Sequence, residues 1–308
     1  MTYLVCPLNW GLGHASRCIP IIRRLIDEGN RVVIAADGYP MQLLKTTFSE
    51  LTFIELPSYN INYSKGKTQV WAMLKCLPAI LKGIFIEHQT LKKIIAEYGI
   101  DTVISDNRFG LWNHHIHCVY ITHQLMVKMP SGLKFMEKSV WRLHRFFINK
   151  YDECWIPDDE QLKLAGDLAH KYPLPSNARF IGILSRFSII TPSDSMPRYH
   201  TAAIVSGPEP QRTIFENELT EKLSALDQDC IIIEGKPQVE ISERRINRLR
   251  IVSHLNDAEM MQLLIQTPHI ICRAGYTSIM DLAFLGKKAT LVATPGQTEQ
   301  EYLATLHS

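Results

Sequence analysis

The chain has 308 residues, a formal net charge of +2 and seven cysteines. The balanced charge gives no reason to expect a nucleic-acid partner. Scattered cysteines without a Cys-x-x-Cys pair predict reduced thiols in a cytoplasmic protein, instead of a disulfide framework or a zinc site. We expect neither a signal peptide nor a membrane-spanning segment, since no stretch has the required apolar pattern. The length favours two domains.

The N-terminal segment is typical of a strand–turn–helix–strand unit, with Gly11 and Gly13 in its turn. Ser16 stands where a dinucleotide-binding fingerprint has its third glycine, which disfavours a nicotinamide oxidoreductase. His14 lies at the predicted helix start, where the helix dipole favours a neutral imidazole. We interpret His14 as a candidate general base, and an ordinary polar residue at a helix start is the alternative.

Polar pairs follow two further predicted strands of the N-terminal half. Asp106 and Asn107 come directly after one apolar strand, and His123 and Gln124 come directly after the next. Ligands of doubly wound sheets bind at the carboxyl ends of the strands. We therefore expect both pairs and His14 to converge at one edge of a sheet.

A second strand–turn–helix–strand unit spans residues 269–293. Its turn and helix start carry small and polar residues: Arg273, Gly275, Tyr276 and Thr277. The N-terminus of such a helix offers free backbone N–H groups and a partial positive charge, which suit a phosphate. A polar loop over 294–300 follows the last strand and can reach the same side of the sheet.

A stretch without apolar periodicity, 185–199, separates two α/β halves and predicts a linker. We expect an N-terminal domain over 1–184 and a C-terminal domain over 200–308, each built on a mainly parallel, doubly wound sheet. Near the start of the C-terminal half, a strand enters a turn with Ser206 and Gly207 before a helix, which is a second candidate phosphate site.

The motif CRAGYTSIMD at 272–281 and the GQTEQEYLA that follows at 296–304 resemble motifs of the MurG-like glycosyltransferases, family 28. The resemblance covers most of the chain in order. It implies the GT-B fold, in which two Rossmann-like domains face a cleft. It also implies transfer of a hexose or N-acetylhexosamine from a UDP-linked donor to a hydroxyl acceptor with inversion, with no cofactor or metal required.

Carried onto this chain, the resemblance assigns the donor-binding roles. Gly275 would lie at the diphosphate, Asp281 at the ribose hydroxyls, and Glu299 with Gln300 at the donor sugar. Members of the family contact the nucleotide base of the donor through backbone groups after an earlier strand, which lie at His254 and Leu255 here. One departure concerns Asp281, because the family usually has a glutamate at this position, with a longer reach.

The motif GLGHASRCIP at 11–20 resembles the Gly-Gly-His turn of the same family, which faces the acceptor. The resemblance therefore implies that His14 is the first candidate for the catalytic base, with Asp106 in reserve. It assigns the acceptor-binding roles to five residues: Gly11, Gly13, Asn107, His123 and Gln124.

The segment 133–150 combines basic and aromatic side chains on an amphipathic helical pattern. Such a helix can lie on an anionic membrane surface, and relatives in this family take lipid-linked acceptors. The alternative is a core-packing helix whose basic face meets water. We expect a glycan or lipid-linked acceptor, with peripheral contact at the inner face of the cell membrane as an option. Segment 59–67 is either an acceptor-binding loop or a plain surface excursion.

Two other functions fit parts of the pattern. An epimerase of the UDP-N-acetylglucosamine 2-epimerase type needs carboxylates near the sugar carbon, for which Asp106 and Glu299 are the candidates. A non-catalytic nucleotide-sugar-binding protein would keep only the donor site. Members of the family continue past their counterpart of the Glu299-Gln300 pair, so the end at Ser308 predicts a truncated chain or a small C-terminal domain.

Overall fold

The computed structural model describes residues 1–58, 69–192, 197–207, 209–236 and 241–308. The loop predicted over 59–67 lies outside these residues. None of the helices that the described ranges contain is both long and apolar enough to cross a membrane.

The N-terminal half is built on a seven-stranded sheet in the order β3-β2-β1-β4-β5-β6-β7, with all neighbouring strands parallel. Its strands are β1 Thr2–Pro7, β2 Arg31–Ala36, β3 Thr52–Glu55, β4 Thr102–Asp106, β5 His117–Ile121, β6 Glu153–Ile156 and β7 Ala178–Phe180. Its helices are α1 Leu12–Asp27, α2 Gly38–Thr47, α3 Gln69–Tyr98, α4 Glu137–Ile148 and α5 Asp167–His170, with a 3₁₀ helix at Ser131–Met136.

The C-terminal half is built on a six-stranded sheet in the order β10-β11-β9-β8-β12-β13, parallel except for the β10–β11 pair. Its strands are β8 Thr201–Ile204, β9 Cys230–Ile233, β10 Glu243–Ile246, β11 Leu249–Val252, β12 His269–Arg273 and β13 Thr290–Val292. Its helices are α6 Gln211–Ser224, α7 Asp257–Gln266, α8 Tyr276–Phe284 and α9 Thr298–Leu306. The predicted pair of parallel α/β sheets is confirmed.

Continuous apolar runs explain the central strands, because parallel strands covered by helices on both faces bury every side chain. Residues 32–36 of β2 and all of β9 are buried, and helices cover both faces of each sheet. Every residue of the β10 strand, Glu243–Ile246, is exposed, and this strand was not predicted. Its charged sequence has no apolar alternation, and it exists because it pairs with β11.

The strand orders place the expected crevices. In the first sheet β1 lies between β2 and β4, and Pro7 is in register with Asp106. In the second sheet β8 lies between β9 and β12. Because strand order reverses at β1 and at β8, ligands are expected outside the carboxyl ends of these strands. The turns at Gly11 and Gly207 follow these two strand ends.

Helix α9 crosses from the second sheet to the first half of the molecule. Leu303 is fully buried in the N-terminal core, and the Tyr302 hydroxyl accepts a hydrogen bond from the Asp167 amide at 2.7 Å. The Thr298 hydroxyl donates to the Lys128 carbonyl at 2.7 Å. The segment after the Glu299-Gln300 pair therefore joins the two halves. The predicted truncation stays a prediction.

Helix α3 corrects one expectation. The sequence predicts an interruption at Pro78, whereas α3 runs without a break from Gln69 to Tyr98. A proline removes one backbone hydrogen bond, and water can satisfy the freed carbonyl where the helix surface is open. Pro78 lies on such an exposed surface.

Candidate functional site

Two glycine turns from the two halves of the molecule touch each other. Gly11 has φ 97° just before α1, a left-handed conformation that suits glycine. The Thr277 hydroxyl, at the start of α8, donates to the Gly13 carbonyl at 3.1 Å. A side-chain carbon at Gly13 would lie only 2.9 Å from the Thr277 Oγ1 atom. Glycine at this position therefore lets α1 and α8 approach.

A buried charged cluster lies directly behind the first turn. Asp106 is fully buried at the end of β4, and Arg17 of α1 is 2% exposed. Arg17 donates through Nε to Asp106 Oδ2 at 2.6 Å and through Nη2 to Oδ1. The His14 Nδ1 atom lies 3.0 Å from the same Oδ1 atom. One carboxylate thus holds both an arginine and the histidine of the turn.

In this cluster, burial and the charges of neighbouring groups shift the pKa values of Asp106 and His14 in opposite directions. Burial alone would raise the pKa of Asp106, but the Arg17 guanidinium and the His14 ring hold that pKa well below its usual value. Burial lowers the pKa of His14, and the Asp106 carboxylate offsets only part of this effect. Asp106 is therefore an ionised carboxylate near neutral pH, beside an imidazole that burial keeps neutral.

The cluster continues across the interface between the halves. Arg17 Nη1 donates to His123 Nδ1 at 3.0 Å, and His123 Nε2 lies 2.8 Å from Glu299 Oε1 of α9. The His123 ring also stacks on Tyr276 of α8, with ring centroids 4.2 Å apart. Glu299, predicted at the donor sugar, and His123, predicted at the acceptor, are therefore in direct contact.

The other predicted acceptor residues lie beside this cluster. Asn107 has φ 58°, and its side-chain oxygen accepts from the Tyr120 hydroxyl at 3.0 Å. Tyr120 in turn lies 3.2 Å from His144 Nε2, and burial lowers the pKa of His144 to about 4. The backbone N–H of Gln124 donates to Thr122 Oγ1 at 3.1 Å. The structure thus ties Asn107 to the core side of α4.

Some of the residues predicted to bind the nucleotide-sugar donor are held by the protein itself, and others lie in glycine turns. Arg273 is 4% exposed and donates to the carbonyls of Ala293 and Gln211, with its guanidinium over the Phe215 ring at 3.9 Å. It therefore braces β13 against α6. Gly275 is the N-cap residue of α8 and has no side-chain cap bond. Gly207, after Ser206, has φ 109°.

The remaining donor candidates also have partners within the protein. The Gln300 side-chain oxygen accepts from the Thr294 amide at 2.8 Å, which shapes the loop before α9. The His254 Nδ1 atom lies 3.1 Å from Ser253 Oγ, and Leu255 follows it before α7. These two residues lie just after β11, at the carboxyl edge of the second sheet.

Asp281 faces the linker between the halves. It is 6% exposed, and the buried Ser185 hydroxyl donates to its Oδ1 atom at 2.7 Å. Arg186 Nε lies 3.4 Å from the other oxygen, and Arg186 also donates to Asp257 at 3.1 Å. Burial raises the pKa of Asp281 to about 6, although Arg186 and Ser185 act in the opposite direction. The structure therefore does not bring Asp281 into the His14 cluster.

An Asp-x-Asp triplet, a common metal-binding pattern, occurs at 227–229. It precedes β9, at the edge of the second sheet opposite to the crevice, where both carboxylates face Arg248. Among the described residues, no three His, Cys, Asp or Glu side chains are placed to hold a metal ion.

Sequence reasoning missed Arg17, the residue at the centre of the cluster. A signal was available, since Arg17 follows His14 by one helical turn and precedes Ile21 of the predicted apolar face by another. A charged side chain on the apolar face of a helix requires a buried partner. That partner, Asp106, is 89 residues away in sequence, and only the sheet order brings it near.

Comparisons with known proteins agree with this architecture. No protein-family model matches the chain. A relative named as an uncharacterized glycosyltransferase, from Methanosarcina acetivorans, is 23% identical over 318 residues, which cover 94% of this chain and 79% of the relative.

Three solved structures share the fold. The glycotransferase of kitacinnamycin superimposes with a TM-score of 0.62 and 15% identity, over 99% of this chain and 84% of that one. The spinosyn rhamnosyltransferase SpnG complexed with thymidine diphosphate gives 0.59 and 14%, with the same coverage. A Listeria monocytogenes protein named for UDP-N-acetylglucosamine 2-epimerase activity gives 0.58 and 12%, over 99% and 86%. The chain therefore has the GT-B fold, which confirms the predicted fold class.

Proposed function

We propose that the chain is a glycosyltransferase that moves a sugar from a nucleoside-diphosphate donor to a hydroxyl acceptor with inversion. The observation that carries the proposal is the His14–Asp106 pair, which lies at the end of β1 and β4 and against the start of α8. The names of the M. acetivorans relative and of two of the solved structures support glycosyl transfer, the coarser part of this proposal.

His14 is the proposed general base. His14 Nδ1 lies 3.0 Å from Asp106 Oδ1 and 2.9 Å from Arg17 Nη2, and the proposal places a proton on Nδ1 that forms a hydrogen bond to the carboxylate. Nε2 then keeps a free lone pair for the acceptor hydroxyl. The lowered pKa of His14 keeps the ring neutral near pH 7, and 12% of its side chain remains exposed. When the ring takes up the acceptor proton, the Asp106 carboxylate stabilises the imidazolium that forms.

Asp106 is better suited to orient His14 than to act as the base. Both its oxygens are occupied by Arg17, and its pKa lies well below the usual value for an aspartate. A carboxylate with such a low pKa takes up a proton poorly. This proposal therefore replaces the reserve role predicted for Asp106.

The leaving diphosphate is proposed to lie at the N-terminus of α8. Backbone N–H groups there have no side-chain cap, and they can stabilise the charge that develops as the bond to the sugar breaks. The turn at Ser206 and Gly207 is the second contact. The first turn of α6 is less free, since Glu209 accepts a hydrogen bond from the Thr213 amide at 3.2 Å.

We propose that the donor sugar contacts Glu299 and Gln300. The nucleotide base of the donor contacts backbone groups at His254 and Leu255. The ribose role of Asp281 requires the ribose hydroxyls to replace the Ser185 hydroxyl. Calorimetry of UDP binding to Asp281→Ala separates the two roles. A ribose contact predicts an affinity loss of about 1–3 kcal/mol, and an unchanged affinity would assign Asp281 to the linker alone.

The acceptor is proposed to be a glycan or a lipid-linked molecule. Three large apolar side chains around α4 are exposed, Phe135 at 78%, Leu143 at 49% and Phe146 at 57%. The exposed basic residues Lys138 and Arg142 lie beside them. This combination suits an anionic membrane surface. Sedimentation with anionic vesicles tests it, and binding that survives the loss of all three apolar side chains would contradict it.

An epimerase is the competing function, because one of the structural neighbours carries that name. Incubation of the protein with UDP-sugars, with and without a panel of glycan and lipid-linked acceptors, distinguishes the two. A glycosyltransferase releases UDP only when an acceptor is present or when water replaces it. An epimerase changes the sugar while it remains attached to the nucleotide.

A further inference from the structure

Arg17 contacts three side chains that belong to different parts of the site. Its guanidinium meets Asp106 at the end of β4, and Nη2 lies 2.9 Å from His14 Nδ1 on its own helix. Its third nitrogen, Nη1, lies 3.0 Å from His123 Nδ1 after β5. The arginine is almost fully buried, so these contacts are not shared with bulk water.

The chemistry of arginine fixes the protonation of His123. An arginine guanidinium only donates hydrogen bonds, and among the described residues Arg17 is the hydrogen-bond partner of His123 Nδ1. Nδ1 of His123 must therefore accept and cannot carry a proton. His14 Nδ1 differs, because it faces the Asp106 carboxylate as well as Arg17 Nη2, and the carboxylate can accept a hydrogen bond from it. The proton of the neutral ring is therefore on Nε2, which lies 2.8 Å from Glu299 Oε1 and donates to it. A doubly protonated ring would place an N–H group against the guanidinium.

Several titratable groups lie around His123. Arg17 of α1, Tyr276 of α8 and Glu299 of α9 contact its ring, and His14 and Asp106 belong to the same cluster through their contacts with Arg17. Burial acts to raise the pKa of Glu299, but His123, His14 and Arg17 bring it below its usual value. With both histidines neutral, the cluster holds one cation and two carboxylates.

We propose that Arg17 is a positioning residue that aligns both halves of the site at once. It holds Asp106 behind His14, and it selects the His123 tautomer that donates a hydrogen bond to Glu299 of the second half. The inference rests on the proposed function for its catalytic meaning, because Glu299 is the carboxylate assigned there to the donor sugar. The tautomer itself does not depend on any activity.

The direct test is the protonation of the His123 ring, read from ¹⁵N chemical shifts of the labelled protein at about pH 7. His123→Gln identifies the signals by their loss. We expect a neutral ring with the proton on Nε2. A proton on Nδ1, alone or together with one on Nε2, would overturn the proposal without any change to the protein beyond labelling.

Variants then show which neighbour fixes the ring. Arg17→Met removes the donor, so Nδ1 of His123 is no longer held as an acceptor and can carry a proton. Arg24→Met is the matched control, since Arg24 is on the same helix but is 81% exposed, and it leaves the His123 signals unchanged. If Arg17→Met does not fold, Glu299→Gln decides. The ring keeps its Nε2 proton there, and a move to Nδ1 would show that Glu299 sets the tautomer.

Activity supplies a separate readout. In the proposed transfer reaction, Arg17→Lys lowers kcat by ~10–100 fold while UDP affinity stays unchanged, because the donor site itself is intact. Equal loss of kcat and UDP affinity would indicate a purely structural role. Failure to find any sugar transfer by the wild-type protein would count against the proposed function and would leave the ring measurement valid.

Discussion

His14 owes its proposed role to its neighbours more than to its place in the sequence. At a helix start a histidine is an ordinary residue, but here it lies 3.0 Å from a fully buried carboxylate. The carboxylate is ionised because Arg17 pairs with it, and that pairing also prevents Asp106 from leaving to meet a substrate. In the proposed mechanism the base, His14, and its orienting group, Asp106, are therefore distinct residues.

His14→Ala is expected to lower kcat by ~10²–10⁴ fold, the usual effect of losing a general base. UDP binding, measured by calorimetry, should stay unchanged because the nucleotide contacts are proposed in the other half. Asp106→Asn should reduce kcat as well, since an amide orients His14 less well. Near-normal turnover by His14→Ala would remove the histidine from the mechanism.

The raised pKa of Asp281 predicts that the stability of the protein depends on pH. Its folded pKa is about 6, above the ordinary value of 3.8, so the folded protein binds the proton more tightly than the unfolded chain. Stability is therefore lost as the pH rises from about 4 to about 6, and ionised Asp281 costs the folded state about 3 kcal/mol. The free energy of unfolding of Asp281→Asn, relative to that of the wild type, should therefore increase between about pH 4 and about pH 7.

Urea unfolding at the two pH values measures this difference. Asp227→Asn is the control. Asp227 is fully exposed, so this substitution removes a carboxylate without a change at the linker. A stability difference between wild type and Asp281→Asn that does not change with pH would contradict the raised pKa.

At the scale of elements, the contact between α1 and α8 determines how closely the two halves approach. Gly13 leaves room for the Thr277 side chain, whose hydroxyl binds the Gly13 carbonyl. Gly13→Ala should destabilise the protein by about 1–3 kcal/mol, as overpacking does. Thr277→Ala in the same chain should recover part of the loss, since it removes Oγ1, the atom that the new methyl group meets at 2.9 Å.

A double-mutant cycle by urea unfolding tests that coupling. Coupling is expected because the two sites are in contact. Strictly additive effects would show that the helices do not meet in solution as they do in the structure.

Local signals in the sequence predict most of the elements. The α1 and α8 starts follow from glycine turns and apolar periodicity, and the strand predicted ahead of His254 and Leu255 is β11, Leu249–Val252. The start of helix α9, residues 298–300, was predicted as part of a polar loop, because the stability of this helix comes from Leu303 packing on the distant N-terminal half. Arg17 and the Asp281 linker contact were missed for the same reason, since their partners are 89 and 96 residues away.

At the scale of the whole molecule, several contacts hold the two halves together around the site. The His123–Glu299 pair and the Thr277–Gly13 bond lie in the crevice, while α9 joins the halves beside it. A donor that enters between α8 and the first turn must compete with these contacts. The same residues that hold the crevice closed are those proposed to bind the donor and the acceptor.

The central claim is that this crevice transfers a sugar with inversion. Proton NMR of the wild-type protein with an α-linked UDP-sugar and a panel of hydroxyl acceptors tests it most directly, because one spectrum reports the anomeric configuration of donor and product. We predict UDP release together with a β-linked product, and loss of that product in His14→Ala. A sugar that changes configuration while still attached to UDP, or an α-linked product, would contradict the account.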